Sequence, residues 1–203
     1  MKSFKKIFRV FFVKFFSKIL LFSISIFFVS CSISNAQVSS GVDLRFSSSD
    51  IASKSSFAND FVFKGFGCEG KNLSPQISWQ GIPAKTKSLA LTVFDVDAPT
   101  GSGWWHWLIF NIPTTYNELK QGFSMNSFNL TDGINQAKND YSEYGYGGPC
   151  PPKGDKKHRY IFTLYALDVE KIDVKQDASP ALVSFMIRQH VIRKSTFEAF
   201  YQR

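Results

Sequence analysis

Leu89-Ala90-Leu91-Thr92-Val93-Phe94 is an unbroken, largely apolar run of strand length, and it stops on the acidic turn Asp95-Val96-Asp97-Ala98-Pro99. Such a run, bounded by turn residues, predicts a buried strand. Further strand-like runs at 61–63, 77–79, 106–112 and 160–168 are separated by Gly, Pro and Asn clusters, and no segment between them has the length of a crossover helix. The expected fold is therefore mainly β, built of antiparallel sheets. Only the tail reads as helix. Ser179-Pro180 supplies a cap and a first-turn proline, and Leu182, Phe185, Met186, Val191 and Ile192 form an apolar stripe to about Lys194. Residues 114–145 are polar and irregular, which fits a long excursion beside the other elements rather than a second domain.

The residues able to do chemistry gather where these strands begin and end. Asp95 and Asp97 are two apart, so strand periodicity predicts that both carboxylates line one wall. His106 enters the strand Trp107–Asn111, and His158 shares a face with Tyr160 at the opening of the strand 160–167. Between them lies Gly147-Gly148-Pro149-Cys150-Pro151-Pro152, whose turns leave backbone N–H groups close to whatever binds. Imidazoles, a phenol and free amides all donate hydrogen bonds, while carboxylates orient imidazoles from behind. An Asp-x-Asp pair alone is ordinary turn chemistry, and a histidine at a strand start is commonly structural. Their concentration in three short stretches favours a site for an anion or phosphoryl group.

These stretches together resemble a known family. Asp95–Pro99, Gly101-Ser102-Gly103-Trp104-Trp105-His106-Trp107, and Gly147–Gly154 leading to His158-Arg159-Tyr160 are similar to the phosphatidylethanolamine-binding protein family, in its bacterial Raf-kinase-inhibitor-like branch. The likeness runs from about Phe46 to the end and includes Asn72-Leu73-Ser74-Pro75 and Trp79. It implies a β sandwich of antiparallel sheets with a C-terminal helix. It also implies an anion pocket lined by Asp95, Asp97, His106, His158 and Tyr160, shaped by Pro99 and by a loop containing Gly148, Cys150 and Pro152. Where animal members carry a pocket tyrosine, Gly101-Ser102-Gly103 stands here, which implies a wider or differently gated mouth. The tail departs too: Gln189 precedes His190-Val191, and Phe197–Arg203 lacks the family's glycines.

The N-terminus follows a different logic. Residues 1–30 carry six basic groups and no acidic one ahead of the apolar core Ile19–Val29, the pattern of a secretory leader. Two processing sites compete, Ser34-Asn35-Ala36 before Gln37 and the lipobox-like Phe28-Val29-Ser30-Cys31; the second is preferred and would place lipid on Cys31. The division expected is a leader over 1–30, a Ser-rich tether over 31–45 and the folded domain over 46–203. The Ser-rich composition continues to Ser56, with a first strand expected near Val42–Phe46. Without the leader, the +8 of the full chain falls to +2, from 18 basic and 16 acidic groups. The high isoelectric point therefore gives no support for nucleic-acid binding, and no basic stripe with interleaved aromatics occurs.

Gly65-Phe66-Gly67-Cys68-Glu69-Gly70-Lys71-Asn72 matches the spacing of a nucleotide-binding loop, but such a loop requires a helix immediately after it. Asn72-Leu73-Ser74-Pro75-Gln76-Ile77 offers none. Three functional classes follow, in order: a binding protein for a small anion or phospholipid head group, an envelope interaction or inhibitor module with a protein partner, and a metal-assisted hydrolase. No Gly-x-Ser-x-Gly elbow or His-Glu-x-x-His helix supports the last, and no cofactor is expected. In an exported domain, Cys68 and Cys150 form the one remaining pair and are expected to be bonded; two separately buried thiols are the alternative.

Overall fold

The computed structural model describes residues 43–203. Its strands are β1 Arg45–Ser47, β2 Lys64–Gly65, β3 Cys68–Glu69, β4 Ile77–Gln80, β5 Ser88–Asp95, β6 Trp104–Pro113, β7 Glu118–Leu119, β8 Asn135–Gln136, β9 His158–Leu167 and β10 Val191–Tyr201, with one α-helix, α1, at Pro180–Arg188. A five-stranded sheet of order β10-β9-β5-β6-β8 faces a three-stranded sheet of order β1-β4-β7, and every strand pairing is antiparallel. The leader, the competing processing sites, Cys31 and most of the 31–45 tether lie outside the described residues.

β5 is the pivot because both its faces are covered. Leu89, Leu91 and Val93 join Ile77, Trp79 and Leu119 of the small sheet in the main core. Ala90 on the opposite face packs with Leu108, Phe110, Val183 and Ile187 under α1. A strand buried on both faces needs an unbroken apolar sequence, which is what 89–94 supplies.

Two boundaries differ from expectation. The helix stops at Arg188; Val191 and Ile192 belong instead to β10, which pairs with β9 from Val191 opposite Leu167 to Tyr201 opposite His158. β-Branched and aromatic residues at Val191, Ile192, Thr196, Phe197, Phe200 and Tyr201 favour that pleated edge. The helix start is as anticipated: the Ser179 side chain accepts the Leu182 N–H at 3.2 Å, and Pro180 fills the first turn. The Ser-rich stretch is not a loose tether to Ser56, since Ile51 and Phe57 are buried and the Ser48 hydroxyl accepts the Asp50 and Ile51 N–H groups, each at 3.1 Å. At 61–63 the expected strand is a 3-10 turn, Asn59–Phe61, followed by extended chain.

The Gly-rich stretch forms the β2–β3 hairpin, with no helix after it. Asn72 serves another purpose there. Its side-chain oxygen accepts the Gly148 N–H at 2.7 Å and its amide donates to the Tyr146 carbonyl at 3.3 Å, fastening this segment to the loop 147–152.

Candidate functional site

The site assembles where β5 ends between the starts of its two neighbours. Asp95, the last residue of β5, lies opposite Trp104 of β6 and Tyr160 of β9. On β6 the register slips: Val93 faces Trp107 while Phe94 faces Trp105, leaving His106 as the extra residue of a bulge. A bulge re-aims a side chain, and here it turns His106 toward Tyr160, ring centroids 5.0 Å apart, instead of toward the Leu108–Phe110 face under α1.

The histidines are held in different ways. His106 Nδ1 lies 2.7 Å from the Gly147 carbonyl, and the His106 carbonyl accepts the Gly147 N–H at 2.8 Å. A carbonyl can only accept, so Nδ1 carries the proton and Nε2 presents a lone pair. Burial lowers the pKa to about 4, keeping this imidazole neutral near pH 7. His158 is wholly buried between two carboxylates, with Nδ1 2.7 Å from Asp95 and Nε2 3.1 Å from Asp155. Burial opposes its charge, but the carboxylates outweigh burial and raise its pKa. Carboxylates were expected behind both imidazoles; His106 has a backbone carbonyl instead.

Asp97 does not share the wall with Asp95. β5 ends at Asp95, so strand alternation does not extend to Asp97, whose N–H donates to the Asp95 carboxylate at 2.8 Å. Its own carboxylate turns to Arg159, accepting from Nε at 2.8 Å and from the backbone N–H at 3.0 Å, and to Lys156 Nζ at 3.3 Å. The Arg159 hydrogen bond holds it well below the usual carboxylate range. Gly148 is likewise outside the lining. Its Cα packs so closely on the 61–63 segment that a Cβ would lie 2.1 Å from the Phe61 carbonyl oxygen. Cys150 is bonded to Cys68 with Cα atoms 6.0 Å apart, tying the loop to the β2–β3 hairpin.

The result is a cavity of about 170 Å³ that brings together Asp95, Pro99, His106, Cys150, Pro152, His158 and Tyr160. Phe66, Trp104 and Tyr141 line it as well, none of them among the site residues expected from the sequence, together with Ala98, Thr100 and Pro151. Tyr141 comes from the irregular 114–145 excursion, stacks on Phe63 at 3.8 Å and donates to the Gly148 carbonyl at 3.1 Å. Phe66, 73% exposed at the hairpin tip, lies 5.5 Å from Tyr141, ring centroid to ring centroid, and both rings line the cavity. Burial, then the Asp95 charge, raises the pKa of both Tyr141 and Tyr160, so each stays a phenol.

Three buried polar atoms on this lining have no hydrogen-bond partner: Trp104 Nε1, His106 Nε2 and the Tyr160 hydroxyl. Unpaired buried polar groups are costly, and their concentration on one cavity marks it as built for a polar guest. Among the described residues, no group of three or more His, Cys, Asp or Glu side chains is placed to hold a metal ion. A larger open groove of about 600 Å³ between Arg45, Trp79 and Glu118 has no such orphaned atoms.

Comparison with known proteins agrees with this architecture. Residues 48–202 match the family model described as phosphatidylethanolamine-binding protein. YbhB of Escherichia coli is 42% identical over 158 residues, covering 78% of this chain and 99% of YbhB. YbcL of the same organism is 45% identical over 156 residues, covering 76% of this chain and 85% of YbcL. The crystal structure of YbcL, described as a new member of the mammalian PEBP family, superposes with a TM-score of 0.76 at 43% identity, covering 79% of this chain and 99% of that one. The antiparallel sheets, the C-terminal helix and a family match spanning nearly all the described residues lead to one conclusion: the chain belongs to the phosphatidylethanolamine-binding protein family.

Proposed function

We propose that this protein is an exported binding protein whose cavity takes a small anion or a phosphorylated head group. The observation that carries the reading is the pair of unpartnered donors, Trp104 Nε1–H and Tyr160 O–H, on a cavity that His158 also lines. An oxyanion accepts from both donors, and such hydrogen bonds to a charged acceptor are the strong ones. Neither pocket histidine is hydrogen-bonded to a serine, threonine or cysteine, so binding rather than nucleophilic turnover suits the geometry.

Tyr160→Phe removes one donor while keeping the ring. Its expected cost is about 1.5–3 kcal/mol of affinity, roughly 10- to 150-fold, for phosphate and phosphoethanolamine in titration calorimetry. Undiminished affinity in the variant would take the anion away from this cavity. The export reading rests on the N-terminal sequence. Lipid on Cys31 would tether the domain to a membrane and bring the cavity to head groups in its plane. Cys31→Ser is expected to move the protein from the detergent phase to the aqueous phase, and equal partitioning of variant and parent would remove the lipid anchor.

A further inference from the structure

The unpartnered donors suit any oxyanion; the third orphaned atom does not. His106 Nε2 is an acceptor, because the Gly147 carbonyl fixes the proton on Nδ1. The residue is only 2% exposed, and no protein group pairs with that lone pair. The charged groups nearest it are Asp95 and His158, and the rings of Tyr141 and Tyr160 pack edge-on against it at 5.6 and 5.0 Å. Each oxygen of the Asp95 carboxylate accepts one hydrogen bond already, one from His158 and the other from the Asp97 N–H, which leaves His106 Nε2 as the acceptor with no partner at all. A guest that pairs all three orphaned atoms must therefore accept twice and donate once.

We infer that the pocket selects oxyanions that carry a proton, such as phosphomonoester monoanions and hydrogenphosphate, over fully deprotonated or fully esterified ones. The inference rests on the anion-binding reading above and deepens it. A P–OH donates to His106 Nε2 while two unprotonated oxygens accept from Tyr160 and Trp104. A phosphomonoester dianion instead places a bare oxygen against the lone pair, repelling it and leaving both unsatisfied. A phosphodiester has no P–OH at all, so a diester lipid would not be held by its phosphoryl group in this way. The discrimination follows the general rule that a site built around a hydrogen bond rejects the analogue unable to make it.

Methyl phosphate and inorganic phosphate distinguish the alternatives. The second ionisation of a phosphomonoester lies near pH 6, so methyl phosphate is about half monoanion at pH 6 and about 1% at pH 8. Inorganic phosphate keeps a P–OH throughout that range. Calorimetric titration of the intact protein is expected to show apparent affinity for methyl phosphate falling about 50-fold from pH 6 to pH 8, while that for phosphate changes far less. Loss of the His158 charge with rising pH weakens both ligands alike, so the difference between the profiles reports the ligand's proton. Parallel profiles would overturn the proton selection and leave the anion pocket standing. No binding of either ligand at any pH would overturn the pocket itself. In His106→Ala, which deletes the acceptor, the two profiles are expected to become parallel; a persistent divergence would assign the selection to another group.

Discussion

Asp95→Ala is expected to destabilise the fold by about 3–5 kcal/mol, as well as abolish anion binding. The carboxylate is 3% exposed and His158 is fully buried, so removing one partner strands a charge in the interior. Because the whole pair is buried, this substitution reaches the fold as well as the pocket. Asp95→Asn keeps the shape and isolates the charge. Because the folded-state pKa of His158 is raised, its contribution is fully present below the unfolded value near 6.5 and is lost as pH rises through the folded one. The stability deficit of Asp95→Asn should therefore be largest in mild acid and shrink toward alkaline pH. His106, with its lowered pKa, costs stability as pH falls below 6.5 toward 4, and because the Asp95 charge holds that pKa up, the variant bears more of this cost, which also enlarges its deficit in acid. Urea unfolding of both proteins across pH 5–9 measures the difference, and a deficit that grows with pH would refute the assignment of charge to His158.

Reducing the Cys68–Cys150 bond is expected to cost up to about 4–5 kcal/mol in the chain-entropy picture, since it closes a span of 82 residues. Anion affinity should fall before the protein unfolds. Cys150 belongs to the cavity lining, and its neighbours Gly147 and Gly148 hold His106 and Asn72. Freeing the loop therefore loosens the carbonyl that fixes the His106 proton. Intact mass after alkylation, with and without reductant, tests the bond itself; two alkylated thiols in the unreduced, denatured protein would refute it. Calorimetry of phosphate binding below the reduced protein's unfolding temperature tests the coupling, and undiminished affinity there would break it.

The parts of the fold that were legible in sequence are those where local pattern and tertiary burial agree. Leu89–Phe94 is apolar throughout and covered on both faces, and Ser179-Pro180 starts a helix by local chemistry alone. Val191 and Ile192 were misplaced because two apolar residues after a helix continue its stripe equally well; the partner strand β9 decides. In the site, adjacency along the chain misled once, at Asp97, because strand alternation ends with the strand. Tyr141 carried no local signal, and Asn72, though part of the Asn72-Leu73-Ser74-Pro75 motif, carried none for its role at the loop. One comes from an irregular excursion and the other from a loop resembling a nucleotide site, and each acts through contacts with the 147–148 backbone.

The place of β5 between β6 and β9 also governs how the molecule can come into being. The β5–β6 hairpin is local and can close early, but the opposite edge of β5 waits for a strand whose His158 is 63 residues beyond Asp95. Until then, a long apolar edge with open backbone groups is available to any passing strand. Such non-local closure is slow. The two halves of the cavity meet only in that pairing, so no fragment ending before β9 holds even a weakened version of the pocket. Ligand capture thus reports that the β5–β9 pairing has closed.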